Sequence, residues 1–295
     1  MKWNLVSFFL ALLTLSSCAV SRSQEYHGFY EDLREYEPCS TFTYSPYYLV
    51  VLVDAKHLDY FNNRSFFCTL VKHPKDGSKG CDVGHCWFLL SGIENNRRVE
   101  IEGGHSGETG VNQTRYMDGV MDLMERNDPN PVRYMWTVQK DGFLQEGCGG
   151  HSPSYAVKVD LTKEKYEELY NFIYGGGYDF KNYSLTHNQC CELVRQLLAK
   201  TGREIQTKIT LSIDSEVQFR HESLHLWSDP RYSRITISSP DVVEKSLHRL
   251  VKEGRAQCAL RWYHMTHPDH KCKEKVCFAC ALSRFCRALL ITRIY

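Results

Sequence analysis

Hydrophobic positions in the first two thirds of the chain fall into short runs separated by turn residues. Residues 47–53 (YYLVVLV) form a continuous β-rich apolar run between Pro46 and Asp54, the pattern of a buried strand. Residues 83–92 (VGHCWFLLSG) predict a second strand. Residues 97–104 (RRVEIEGG) alternate Val99 and Ile101 with Glu100 and Glu102, which predicts a hairpin partner across GIENN. Residues 132–139 (VRYMWTVQ), 154–161 (SYAVKVDL) and 209–213 (ITLSI) predict further strands.

Helical spacing appears between these runs. A short helix is predicted in YMDGVMDLMER, ahead of the breaker NDPNP. In LTKEKYEELYNFIYGG, Thr162 is placed to cap a helix and Gly175-Gly176-Gly177 to end it. That glycine run follows its helix and lacks a Gly-Lys-Ser/Thr, so it reads as a turn and not a phosphate loop. A third helix spans about 190 to 200 and stops at Gly202. A fourth starts at Ser239 with Pro240 in its first turn.

The N-terminus bears on compartment. Lys2 precedes an apolar run from Leu5 to Leu15, about 11 residues against the roughly 20 a membrane-crossing helix needs, so the segment reads as a signal peptide. Leu15-Ser16-Ser17-Cys18 resembles the bacterial lipobox. That resemblance implies cleavage before Cys18 and lipid on this residue, hence a lipoprotein held in a bacterial cell envelope; the alternative is an ordinary cleaved secretory signal. Residues 18–45 are polar and of mixed charge, as in a tether. With 36 Lys+Arg against 35 Asp+Glu and no long run of either sign, the chain carries no electrostatic footprint for nucleic acid. Its 13 cysteines point, in an exported chain, toward disulfides without deciding which thiols stay free.

Two adjacent cysteines open the third helix. On a wheel of 3.6 residues per turn, Leu193, Val194, Leu197 and Leu198 define the apolar face, Cys190 lies near its middle and Cys191 toward its edge. Cys190 also stands in the first turn, where unpaired N–H groups and the helix dipole favour a thiolate. A small buried thiol is the plain reading, and a base is what would make it a nucleophile. His85 lies in an apolar strand, where an imidazole is costly without partners. Glu102 and His105 follow on the neighbouring strand as candidate third members of a triad. His187 is a rival base by proximity in sequence, and His151, in a glycine-rich turn, either lines the same cleft or is solvated.

The strand-borne Gly84-His85 followed by a hairpin, and Tyr183, Asn188, Cys190, Leu193 and Val194 at the helix start, resemble the circularly permuted branch of the NlpC-type papain-like superfamily, which includes lecithin:retinol acyltransferase-like proteins. The resemblance covers about residues 47 to 202. It implies an α+β fold, a permuted papain-like core in residues 46–202 whose antiparallel sheet packs on the nucleophile helix, and a helical extension over residues 203–295. It implies a thiol hydrolase or acyltransferase acting on a peptide, cell-wall peptide or lipid ester, with His85 as base and Glu102 or His105 as its orienter. The Cys190 N–H, with the Gln189 amide as a second candidate, would bind the oxyanion. No cofactor is implied. The tail carries His264, His267, His270, Cys272, Cys277, Cys280 and Cys286, of which four could enclose zinc; in an exported chain disulfides among these cysteines or to Cys258 are the favoured reading, and no metal is assigned. The competing expectation is a non-catalytic surface lipoprotein using the same core as a binding scaffold.

Overall fold

The computed structural model describes residues 42–60, 83–107, 129–219 and 222–268. Cys18, the signal segment, most of the tether, the helix expected before NDPNP and the tail cysteines from Cys272 onward lie outside the described residues.

The fold is α+β. Six strands form one antiparallel sheet: β1 (Tyr48–Asp54), β2 (His85–Glu94), β3 (Arg97–Gly107), β4 (Gly142–Glu146), β5 (Tyr155–Asp160) and β10 (Gln257–Cys258), in the order β10-β5-β1-β2-β3-β4. Between β5 and β10 the chain runs through α1 (Lys163–Tyr174), α2 (Cys190–Lys200), β6 (Lys208–Ser212), β7 (Glu216–Phe219), β8 (Glu222–His225), β9 (Arg234–Ser238) and α3 (Pro240–Lys252); α4 (Leu260–Thr266) follows β10. β6 pairs with β9 and β7 with β8 in two small ribbons.

The local chemistry explains these elements. β2 and β3 join through Asn95 and Asn96, both at positive φ (50° and 59°), which is the left-handed pair a two-residue hairpin turn requires and asparagine tolerates. Thr162 caps α1 by accepting from Lys165 N at 3.2 Å, and Ser239 caps α3 by accepting from Asp241 N.

β1 is buried along its whole length because both faces of the sheet are covered. Leu49, Val51, Val53, Cys86, Phe88 and Leu90 face α1, α2 and α3; Tyr48, Val50, Leu52, Trp87 and Leu89 face α4 through Trp262 and Tyr263. A central antiparallel strand thus acquires the unbroken apolar run usual for strands buried on both sides. The core continues past residue 202. Val243, Leu247 and Leu250 of α3 share the α2 side, and β10 completes the sheet beside β5.

Residues 132–139 are not the expected strand. Pro131–Trp136 is a 3-10 helix, opened by Arg133 N donating to Asn130 O, and Gln139 makes one isolated bridge to Tyr183. The turn chemistry of Asn130 overrides the alternating apolar pattern: its side-chain carbonyl also accepts from Ser228 N and Asp229 N. β4, unpredicted, follows as an edge strand.

Candidate active site

Cys190 is the first residue of α2, and its neighbour Gln189 is the N-cap. The Gln189 Oε1 accepts from Cys191 N at 3.1 Å and lies 3.2 Å from Cys190 Sγ, while Nε2 donates to Ser238 O at 2.7 Å. Glutamine is an uncommon cap; here it ties the helix start to the end of β9. The Cys190 N–H, in contrast, has no hydrogen-bond acceptor among the described residues.

Both cysteines face inward, Cys190 5% exposed and Cys191 fully buried. Cys191 is not at an open edge: it lies in the core cluster that also holds Val243 and Leu247 of α3. Across the sheet interface stands Cys86 of β2, with Cys86 Sγ 3.6 Å from Cys191 Sγ and Cys190 Sγ 4.0 Å from Cys191 Sγ. Hydrogen bonds from the Cys191 and Cys86 thiols, outweighing burial and reinforced by the charge and hydrogen bonding of His85, hold Cys190 well below the ordinary thiol range. Burial drives Cys86 and Cys191 the other way, well above it. These opposite directions make Cys190 the most acidic of the three sulfurs.

His85 is placed by the first register position of β2, opposite Asp54 of β1. Its ring stacks on His151 (centroids 4.7 Å apart, 26° between planes) and lies near-parallel to Trp87 at 6.0 Å. Gly104 leaves the space it occupies, since a Cβ there would come within 2.7 Å of His85 Nε2. That Nε2 is buried and has no hydrogen-bond partner among the described residues. The neighbouring His151 and Trp87 rings help fix the ring plane.

The two expected orienters serve elsewhere. Glu102 pairs with Leu89, four residues along β2 from His85, so about 13 Å of strand separates them. Its Oε1 accepts from Trp87 Nε1 at 2.8 Å and from Tyr263 OH at 2.5 Å on the α4 side of the sheet. His105 lies on the α2 side, fully buried. Nε2–H donates to Phe180 O at 3.1 Å and Nδ1 meets Tyr178 OH at 3.0 Å, so both nitrogens are committed to the loop beneath Gln189. Burial depresses its pKa, in keeping with a neutral ring that accepts at Nδ1. His187 is engaged locally, with Nδ1 2.5 Å from Thr186 Oγ1.

His151, left between two readings by its sequence, is brought to the site, and Asp54, at the bare end of an apolar run, was missed. His151 Nδ1–H donates to Asp54 Oδ2 at 2.8 Å, and Lys56 Nζ reaches the same oxygen at 2.9 Å. Burial opposes the Asp54 charge, but the His151 hydrogen bond and Lys56 outweigh it and keep this carboxyl below its usual range. The fold therefore favours the carboxylate: the stabilisation is fully present above the unfolded value of about 3.9 and is lost as pH falls through the lower folded value. Denaturant titrations of wild type and Asp54→Asn are expected to show a stability gap that narrows below roughly pH 4. A gap independent of pH would show that the Asp54–His151 contact carries no charge.

Beside the loop leading into α2, a cleft of about 430 Å³ is lined by residues including Val138, Tyr178, Asn182, Ser184, Asn188 and Gln196. Most of these side chains are polar in type, although apolar atoms make up the larger share of the wall, and Tyr178 and Asn188 bring it next to the Gln189-Cys190 step. Among the described residues no group of His, Cys, Asp or Glu is arranged to hold a metal, and no helix is long and apolar enough to cross a membrane. Of the tail residues, His264 and His267 are described; the His267 ring stacks on Tyr263 at 4.6 Å. Cys258 is disulfide-bonded. No protein-family model, curated protein or solved structure matches this chain.

Proposed function

We propose that this chain is a cysteine hydrolase or acyltransferase with a permuted papain-like core, carried as an envelope lipoprotein on Cys18. The carrying observation is the Cys190 thiol at a helix start, held well below its ordinary range in part by His85, whose Nε2 has no hydrogen-bond partner among the described residues. In this reading Cys190 Sγ attacks the carbonyl carbon of an ester or amide, and the free Cys190 N–H receives the oxyanion. His85, having taken the proton that Cys190 gives up, then delivers it to the leaving oxygen or nitrogen. Water or a second acceptor, deprotonated by His85, cleaves the thioester and frees the sulfur. Gln189 aims the thiol and anchors the cap, so the oxyanion contact falls to the backbone. The Cys258 disulfide is at home in an exported protein. Peptide, cell-wall peptide and lipid esters are the substrate classes in view.

The near-complete burial of Cys190 favours a second reading, a binding scaffold whose thiols only fill the core. Per-residue alkylation of the native protein across pH separates the two. The catalytic reading expects Cys190 to react at a pH well below the free-thiol midpoint of about 8.5, and His85→Ala to move that midpoint upward. A Cys190 inert until the protein unfolds supports the scaffold.

A further inference from the structure

The three sulfurs form a group that acyl chemistry does not require. Cys190 suffices as a nucleophile, yet the fold brings a strand cysteine and the next helix cysteine into contact behind it. Cys86 projects from β2 and Cys191 from α2, with 3.6 Å between their sulfurs, and both are free thiols at 0% exposure. A bond between them needs the sulfurs to close to about 2.05 Å. Cys190, at 5% exposure and 4.0 Å from Cys191 Sγ, is the more exposed of the three sites. Adjacent helical residues are poorly placed to bridge each other, because successive side chains point about 100° apart. The strand-to-helix pair has no such restriction.

We propose that Cys86 and Cys191 are a redox-active dithiol, closed to a disulfide by exchange with a small-molecule disulfide that enters through Cys190. The Cys190 thiolate attacks one sulfur of the small disulfide, forming a mixed disulfide and releasing one thiolate. Cys86 gives up its proton, attacks the Cys190 sulfur and expels the second small thiolate, leaving a Cys86–Cys190 bond. Cys191 then gives up its proton, attacks the Cys86 sulfur and expels the Cys190 thiolate. The two protons end on the two released small thiols, so one small disulfide is reduced and one protein disulfide is made.

The closed state changes Cys190. Neither Cys86 nor Cys191 retains an S–H to donate, and the two largest supports of the thiolate disappear. Oxidation therefore quiets the nucleophile without consuming it. This inference does not depend on acyl transfer, since it concerns the sulfurs alone.

The test uses the full chain, equilibrated in glutathione buffers from fully reduced to fully oxidised, quenched with acid, alkylated and mapped by fragmentation mass spectrometry. The expected result is a peptide pair linked through Cys86 and Cys191 with Cys190 alkylatable, and alkylation of Cys190 at neutral pH slowed at least about tenfold in the oxidised protein, as for a thiol whose pKa rises from below the assay pH to at least about one unit above it. Cys190→Ser is expected to slow closure at least about tenfold, with circular dichroism confirming its fold. Cys86 and Cys191 remaining thiols throughout, a stable end product at Cys86–Cys190, or closure at an unchanged rate in folded Cys190→Ser would each overturn the proposal. Should Cys190→Ser not fold, wild type with Cys190 blocked by methylthiolation supplies the rate comparison: blocking supplies the first mixed disulfide, so the expected result is immediate closure with loss of the methylthio group, and a persistent methylthio group overturns it.

Discussion

Cys190→Ala is expected to reduce turnover of activated acyl esters by about 10⁴-fold or more, the scale on which removal of a nucleophile acts. Wild type incubated with an acyl p-nitrophenyl ester and quenched in acid should carry one acyl group on Cys190, and the variant none. The small, buried change should cost only about 1 kcal/mol of stability, so loss of activity and loss of fold are separable by a denaturant melt. His85→Ala should leave the thiol in place but lose most of the rate, with the pH dependence of alkylation moved upward, because the imidazole both supports the thiolate and carries the proton. An acyl adduct on another residue, or turnover unaffected in Cys190→Ala, would remove the catalytic reading while leaving the fold as described.

The second large effect is on stability. Asp241, fully buried in the first turn of α3, accepts from His57 N and Leu58 N at 2.8 Å each, through different oxygens, and from Tyr60 OH at 2.8 Å. The His57 backbone is in the left-handed region (φ 53°), an uncommon conformation for a residue with a side chain, and its Nε2–H donates to Glu244 Oε2 at 2.6 Å. One carboxylate and one glutamate thus clamp residues 57–60 onto α3. Asp241→Ala leaves two buried N–H groups without their acceptor at about 1–3 kcal/mol each, offset by relief of the buried charge, for a net loss of about 2–5 kcal/mol. Burial raises the Asp241 pKa in spite of these bonds, so Asp241→Asn, which keeps one acceptor oxygen, should lose less. Equal melting midpoints for wild type and Asp241→Ala would show that residues 57–60 stand without the clamp.

Local patterns were sufficient for most elements that position the site. The apolar run to Val53, the Asn95-Asn96 turn, the Thr162 and Ser239 caps and the Leu193-Val194-Leu197-Leu198 face each carry their cause within a few residues. The inward direction of Cys190 follows from that same helical face. The 3-10 turn at Pro131 was misread because the apolar spacing of residues 132–139 is compatible with a strand, and only the bonds converging on Asn130 break it.

What the sequence by itself determined was therefore the strand and helix inventory around the site, the helix that presents Cys190, and the strand that carries His85. The tertiary structure decided the rest. Whether Glu102 or His105 could serve His85 depended on sheet register and on which face each residue takes, and the register put Glu102 with Tyr263 and His105 with Phe180. Asp54, His151, Cys86 and Asp241 become chemically meaningful through contacts spanning 97, 66, 105 and 184 positions, respectively: Asp54 to His151, His151 to His85, Cys86 to Cys191 and Asp241 to His57. Periodicity records which way a side chain points from its own element; it holds no term for what arrives on the other side, which is set by long-range packing.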